Sequence, residues 1–232
     1  AERRVVVESP YYEIVQRAGQ AQADSQLAAN PDAGYFLATA ARPPGGINAT
    51  LMVDAGGGYE DSGVIDFSPS AVLAADVGAA DAVLPVEAGE GLSQVRVGSH
   101  AQIGDELVRI DAVSDTSVTV GRGVLDTVPT PHAKGAVIVA WDDFAEGDNV
   151  EYAAGEQVQV RLLPVSGSGK VALNEAPTDT VTMARRAIRP YPPGRLQIDG
   201  LDYPEEVDSS LVTVSWAHRD RIQQTGGVLI DH

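Results

Sequence analysis

Along the chain the spacing of apolar residues changes from strand-like to helix-like and back. Arg4 to Glu8 places three valines between charged residues and predicts a short strand. Ser9-Pro10 then reads as a helix start, because a serine hydroxyl can accept from the free amides of a first turn and proline fits the first helical position. Tyr11 to Ala29 is rich in Ala and Gln, carries no internal proline and stops at Asn30-Pro31, which predicts the only substantial helix. Its apolar face (Ile14, Val15, Ala18, Leu27) is thin, which implies packing through small residues. Tyr35–Ala41 reads as a strand ended by Pro43-Pro44-Gly45-Gly46. Asn48–Asp54 and Gly63–Phe67 read as a strand pair around Ala55-Gly56-Gly57-Gly58, where consecutive glycines favour a loop.

From Asp81 to Trp141 short strand patterns recur at regular spacing: Ala82–Val86, Gln94–Val97, Glu106–Val113, Ser117–Arg122 and Ala136–Trp141. Turn signals separate them at Glu87–Gly91, Gly98-Ser99-His100, Gly104-Asp105 and Ser114-Asp115. Val108, Ile110 and Ala112 alternate with Leu107, Arg109 and Asp111, the period-2 pattern of a half-buried strand. Sequential hairpins of this length predict a small antiparallel barrel or sandwich with its own core. If Ile110 is buried there, Ile110→Ala should cost roughly 2–4 kcal/mol. Val158–Val165 and Val171–Leu173 read as strands around Ser166-Gly167-Ser168-Gly169. The basic run Ala184–Pro190 leads into Tyr191-Pro192-Pro193-Gly194, whose prolines suit a stiff linker. Arg195–Ile198 and Leu211–Trp216, with Val228–Ile230 as a third, read as the first strands of another β module, with Trp216 as a core anchor. The fold class expected is mainly β: small antiparallel barrel or sandwich domains with one N-terminal helix. The organisation expected is a mixed α+β segment over 1–80, a small antiparallel barrel over 81–145, strands returning to the first segment and a linker over 146–190, and a new module from 191 to 232.

Composition agrees with this reading. Aromatic residues make up 5% of the 232, so the core must rest on Val, Ile, Leu and Ala. A chain of this length buries roughly 70% of its unfolded surface and needs no staples. There are no cysteines, which excludes disulfides, thiolate metal sites and cysteine nucleophiles. The net charge of −17 repels nucleic-acid phosphates and anionic lipid, so neither is an expected partner. No apolar run approaches a membrane span. The first residues carry no start methionine and no signal-peptide pattern, and they read as the interior of a longer polypeptide, one also expected to continue past His232.

Candidate chemistry is sparse. Gly167-Ser168-Gly169-Lys170 is superficially like a phosphate loop, but Val171 follows the lysine and the spacing of a P-loop is absent, so a hairpin turn is expected. The acidic stretch Asp142 to Glu151 could ligate Ca²⁺ but lacks EF-hand spacing, and a solvated loop is the better reading. The same holds for Asp54, Glu60 and Asp61, which could also be the paired carboxylates of sugar hydrolysis. His100, His132, His218 and His232 fall in no metal or catalytic pattern. No residue is assigned a catalytic, cofactor-binding or metal-ligating role, no cofactor is expected, and an enzyme is not expected.

Three stretches resemble siphophage tail proteins. Val7-Glu8-Ser9-Pro10-Tyr11-Tyr12-Glu13-Ile14-Val15-Gln16 is similar to an E-x-P-Y-[YW]-x-[LIV]-V-Q segment of phage tail-tip polypeptides. Gly104-Asp105-Glu106-Leu107-Val108-Arg109-Ile110, then Val118 to Thr127, then His132 and Gly135, resemble the G-x-E-x-[IV]-x-[IV] … [LV]-x-[VI]-x-R-G … T … H-x-x-G pattern of phage tail domains, with Asp126 where that family often has Gly. In this stretch Arg122 and His132 could clasp the Val124–Pro131 loop by hydrogen bonds. Tyr191-Pro192-Pro193-Gly194 to Arg221 looks like the opening of a fibronectin-III-like module after the hub of such proteins. The resemblance implies a virion tail-tip or baseplate hub protein made in the bacterial host cytoplasm. It would assemble around the tail axis with copies of itself, as a trimer, and with neighbouring tail proteins, and would support host attachment. The rival readings are a host-glycan-binding β domain and a tail-associated cell-wall hydrolase.

Overall fold

Alternating and valine-rich runs do become strands through most of the chain, as the computed structural model shows for residues 3–202, 204, 206–208, 210–223, 229 and 231. The order is β1 (Arg4–Glu8), α1 (Tyr11–Ala18), α2 (Gln20–Ala29), β2 (Phe36–Ala40), β3 (Gly46–Asp54) and β4 (Glu60–Ile65). Next come β5 (Ser70–Leu73), β6 (Val83–Glu90), β7 (His100–Ile103), β8 (Glu106–Val113), β9 (Ser117–Gly121) and β10 (Val137–Val139). The chain continues through β11 (Gln157–Ser166), β12 (Gly169–Lys170), β13 (Asp179–Thr182), β14 (Gly194–Ile198), β15 (Leu201–Asp202) and β16 (Val214–Ala217). The fold is mainly β, with antiparallel sheets and a closed six-stranded barrel. No helix among the described residues is long and apolar enough to cross a membrane.

The chain folds into two compact units, each made of two stretches. One ends at Ser70 and resumes over Val139–Arg189. The other is Ala71–Ile138 with the segment from Pro190 onward. In the first unit β11 pairs antiparallel with β3 from Gln159↔Asp54 to Ser166↔Gly46, and β4 and β12 flank this pair. Val158, Val160 and Leu162 of β11 alternate inward and meet Leu51, Val53, Phe36 and Met183 in one core. Burying each such side chain stabilises the fold by roughly 1.5–3 kcal/mol. β1 pairs with β2 from Arg4↔Ala40 to Glu8↔Phe36.

The expected single helix is two. Gly19, at φ 82 and ψ 150, breaks it, a conformation essentially confined to glycine. Ala and Gln favour helix on both sides, so propensity does not reveal the break. Pro10, not Ser9, occupies the N-cap, and no side chain caps α1. Ile14, Val15 and Leu27 are buried with Tyr11 and Ala23, whereas Ala18 faces solvent.

In the second unit the barrel order is β10-β5-β6-β9-β8-β7. Its first strand in sequence, β5, lies ahead of the Asp81 boundary read in the sequence. Ile110 is 1% exposed. The register shifts between Ile110 and Ala112, so Asp111 is an extra residue, and beyond it Ala112 turns outward instead of continuing the buried face. The expected strand Gln94–Val97 is absent: a 3₁₀ turn, Leu92–Gln94, follows left-handed Gly91, and Val97 is exposed. Val171–Leu173 is likewise not a strand. Gly167-Ser168 turns the β11–β12 hairpin, and the pairing ends at Lys170.

The Pro-rich stretch does not stand clear of the fold as a linker would. Tyr191 is buried, and the segment beyond it belongs to the barrel's unit. There β14 pairs with β15 and β16 in a three-stranded sheet. Trp216 is no core anchor: it is 62% exposed, as are Leu201 and Val214 to a similar extent. The buried tryptophan is Trp141. The expected Val228–Ile230 strand falls mostly outside the described residues.

Candidate functional site

The most highly organised polar cluster lies at one end of the barrel, where β8 begins and β9 ends. Gly104, in the left-handed region, turns the β7–β8 hairpin and delivers Glu106 as the first residue of β8. Glu106 is a buried carboxylate on a strand of buried Leu107, Val108 and Ile110. Arg122, just past β9, is 5% exposed and lies against it. Its Nε donates to Glu106 Oε1 at 2.8 Å and its Nη2 to Oε2 at 2.9 Å, a bidentate pair. The remaining Arg122 donors reach backbone carbonyls. Nη1 donates to Gly78 at 2.7 Å and Asp81 at 2.9 Å, and Nη2 also donates to Thr130 at 2.6 Å. Every N–H of the guanidinium fork is thereby used.

Glu106 is equally committed. Besides Arg122, Oε1 accepts from the Gly123 amide at 2.9 Å, and Oε2 accepts from the Thr130 amide at 3.0 Å and from His132 Nε2 at 2.8 Å. His132 is fixed in turn by the antiparallel bridge Val77↔His132. Thr127 adds a further tie, its hydroxyl accepting from the Leu107 amide at 3.1 Å and donating to the Val124 carbonyl at 2.8 Å. Gly123, at φ 57, cannot be replaced without a clash, since a Cβ there would lie 2.4 Å from Pro129 Cδ. Burial pushes the Glu106 carboxyl up, but hydrogen bonds from Arg122, His132 and the Thr130 amide, with the Arg122 charge, overcome this and hold it at about 2.

The cluster is therefore a clasp. Glu106 gathers two strand ends and the 123–132 loop, its partner Arg122 holds the 78–81 loop, and no donor of Arg122 remains to meet a substrate. The sequence reading that Arg122 and His132 clasp the Val124–Pro131 loop agrees with this geometry. It missed that Glu106 is the centre. The signal available was the glutamate in G-x-E, a charge that opens a strand directly ahead of Leu107 and Val108.

The acidic segments weighed for Ca²⁺ or sugar hydrolysis come together in part. Glu60, Asp61 and Asp148 line one cavity of about 540 Å³ with Tyr152. Asp61 and Asp148 already accept from the Gly63 and Val150 amides two residues on, and Asp54 accepts from Gly56 and Gly58, so these carboxylates close their own loops. Burial, then the hydrogen bond to Asp148, pushes the Tyr152 hydroxyl above its usual range. His100 is buried at the start of β7, His218 is exposed beyond β16, and His232 lies outside the described residues. One further acid escaped the sequence reading. Glu13 of α1 is 2% exposed, and burial, followed by the nearby Asp142, pushes its carboxyl up to about 8 against the opposing pull of Arg17. Comparison of the chain with protein-family models and with curated protein sequences gives no match.

Proposed function

We propose that the chain is a structural component of a bacteriophage tail tip or baseplate, assembling around the tail axis with copies of itself and with neighbouring tail proteins to support host attachment. The single observation that carries this reading is that the residues of the tail-like pattern and the residues of the clasp coincide. Gly104, Glu106, Arg122, Gly123, Thr127 and His132 are the residues by which the sequence resembles tail domains, and each of them turns or ties the barrel end. A motif whose members are spent on one another and on backbone groups supports a protein whose work is to hold geometry. On the same reading, the three-stranded sheet of β14, β15 and β16 is the opening of a fibronectin-III-like module.

The test is to locate the chain in particles. Peptides of this sequence should appear in the mass spectrum of purified tailed phage, and an antibody to the barrel should label the tail tip in electron micrographs. Purified chain should run as a homo-oligomer, a trimer, by light scattering. Absence from particles that infect normally would remove the proposal.

A further inference from the structure

We propose that a cavity of about 390 Å³ within the barrel's unit binds a monosaccharide that carries a carboxylate. The inference stands apart from the tail assignment, since it rests only on the residues that line this cavity. One wall is small and apolar, made by Ala79, Ala82, Val120 and Pro129. The other is polar, made by Arg195, Gln197 and Asp202 of β14 and β15 and by Asp231, whose carboxylate lies 3.6 Å from Arg109. Such a two-faced space matches a pyranose ring, which presents C–H groups on one side and hydroxyls around its rim. Its volume falls within the range of about 300–1,000 Å³ usual for small-molecule sites.

The charge that selects the ligand is Arg195. Arg122 also reaches the cavity, but all its donors are spent in the clasp. Arg195 makes no hydrogen bond or ion pair among the described residues, and its side chain is exposed to the cavity. Its backbone sits at φ 49, where the register of β14 against β16 shifts between Gly194 and Gln197. A non-glycine residue held there is strained, and a bulge of this kind redirects a side chain. Asp202 lines the same space; among the described residues its carboxylate accepts from Gln197 Nε2 at 3.1 Å and forms no ion pair with Arg195. Arg195 and Asp202 thus line one space without pairing with each other, and a ligand with both an anionic and a hydroxyl group can meet each of them. A carboxylate takes the guanidinium in a bidentate pair, and hydroxyls donate to Asp202 and accept from Gln197. A bare small anion would satisfy Arg195 but leave Asp202 and the apolar wall unmet.

Saturation-transfer NMR and calorimetric titration of the full chain with glucuronic, galacturonic and N-acetylneuraminic acids test the proposal, with glucose and acetate as controls. At least one acidic sugar should bind roughly tenfold or more tighter than either control, the difference expected of a charge-assisted hydrogen-bonded pair. Arg195→Gln should abolish that preference and Asp202→Asn should weaken binding of the same sugar, both with the melting temperature of the parent chain. Equal binding of glucose, equal binding of acetate, no binding of any acidic sugar, or unchanged affinity in Arg195→Gln would each overturn it.

Discussion

Arg122 and Arg219 are both buried arginines in the barrel's unit, and the difference between them decides what each contributes. Arg122 meets a carboxylate and three carbonyls. Arg219 donates from Nη2 to the Leu125 carbonyl at 2.6 Å and lies 5.9 Å from the Tyr191 ring centre, while its Nε and Nη1 have no hydrogen-bond partner among the described residues. Glu106→Gln would leave the Arg122 charge buried without its counter-charge and should cost about 3–5 kcal/mol, measured by denaturant unfolding. Arg219→Met keeps the volume and removes a poorly compensated charge. Its expected effect lies within about 1 kcal/mol of neutral, because the lost hydrogen bond and the relieved desolvation oppose each other. The two buried acids have opposite pH signatures. The Glu106 pKa is depressed from 4.5 to about 2, so its stabilisation is present above pH 4.5 and is lost as pH falls from 4.5 to 2. The Glu13 pKa is raised from 4.5 to about 8, so the folded state holds a proton that the unfolded chain has released, and stability falls as pH rises from 4.5 to 8. Glu13→Gln should flatten that upper slope in melts taken across pH 5–8, and an unchanged slope would show that Glu13 does not titrate there.

At the scale of elements, the junction of α1 and α2 is the sharpest departure from expectation. Gly19 has no atom within 4 Å of where a Cβ would stand, so Gly19→Ala meets no clash and its cost is purely backbone. A loss of about 1–3 kcal/mol is expected in thermal melts, and a stabilising effect would mean the two helices can fuse. Which elements were legible in the sequence follows from what each one needs. β3, β8, β9 and β11 carry enough branched or alternating residues to announce themselves. β5 and β13 have only four residues each and exist because a neighbouring strand supplies hydrogen bonds, a fact no local pattern carries. Gln94–Val97 failed for the converse reason: it alternates correctly, but the 3₁₀ turn at Leu92–Gln94 takes its start and it joins no sheet among the described residues. The clasp was half legible. The chemistry of Arg122 and His132 suggested a loop tie, but the centre at Glu106 depends on the β7–β8 turn burying a charge that sequence alone leaves on either face.

At the scale of the whole chain, both units are discontinuous, so each depends on contacts between residues far apart in sequence. The whole barrel lies in sequence between β3 and β11, which pair with each other, and the barrel's unit takes its last segment from beyond Pro190. That segment is fastened at several points. Arg219 holds the Leu125 carbonyl, and Arg109 donates to the Leu229 carbonyl and lies 3.6 Å from Asp231. Leu229 itself is 1% exposed. Gly194 lets the chain pass close by, since a Cβ there would lie 2.7 Å from Arg219 Cδ. The loop that carries Leu125 is the same loop that Glu106, Arg122 and His132 grip from the barrel side, so it is tied from both directions. A chain ending at Arg189 loses the outer tie on Leu125 and the Arg109 contacts with Leu229 and Asp231, and it keeps the inner clasp. It should therefore keep the barrel folded, with faster amide hydrogen exchange confined to residues 123–131 and the ends of β8, and with β3 and β11 unchanged. Glu106→Gln in the full chain, which loses the inner tie, should speed exchange in 123–131 further and extend it to the 78–81 loop. If the shortened chain exchanges as slowly in 123–131 as the full chain, the C-terminal segment is a separate module that the barrel does not feel. If it loses protection throughout the barrel, the segment is part of the core and the clasp alone does not hold the barrel end.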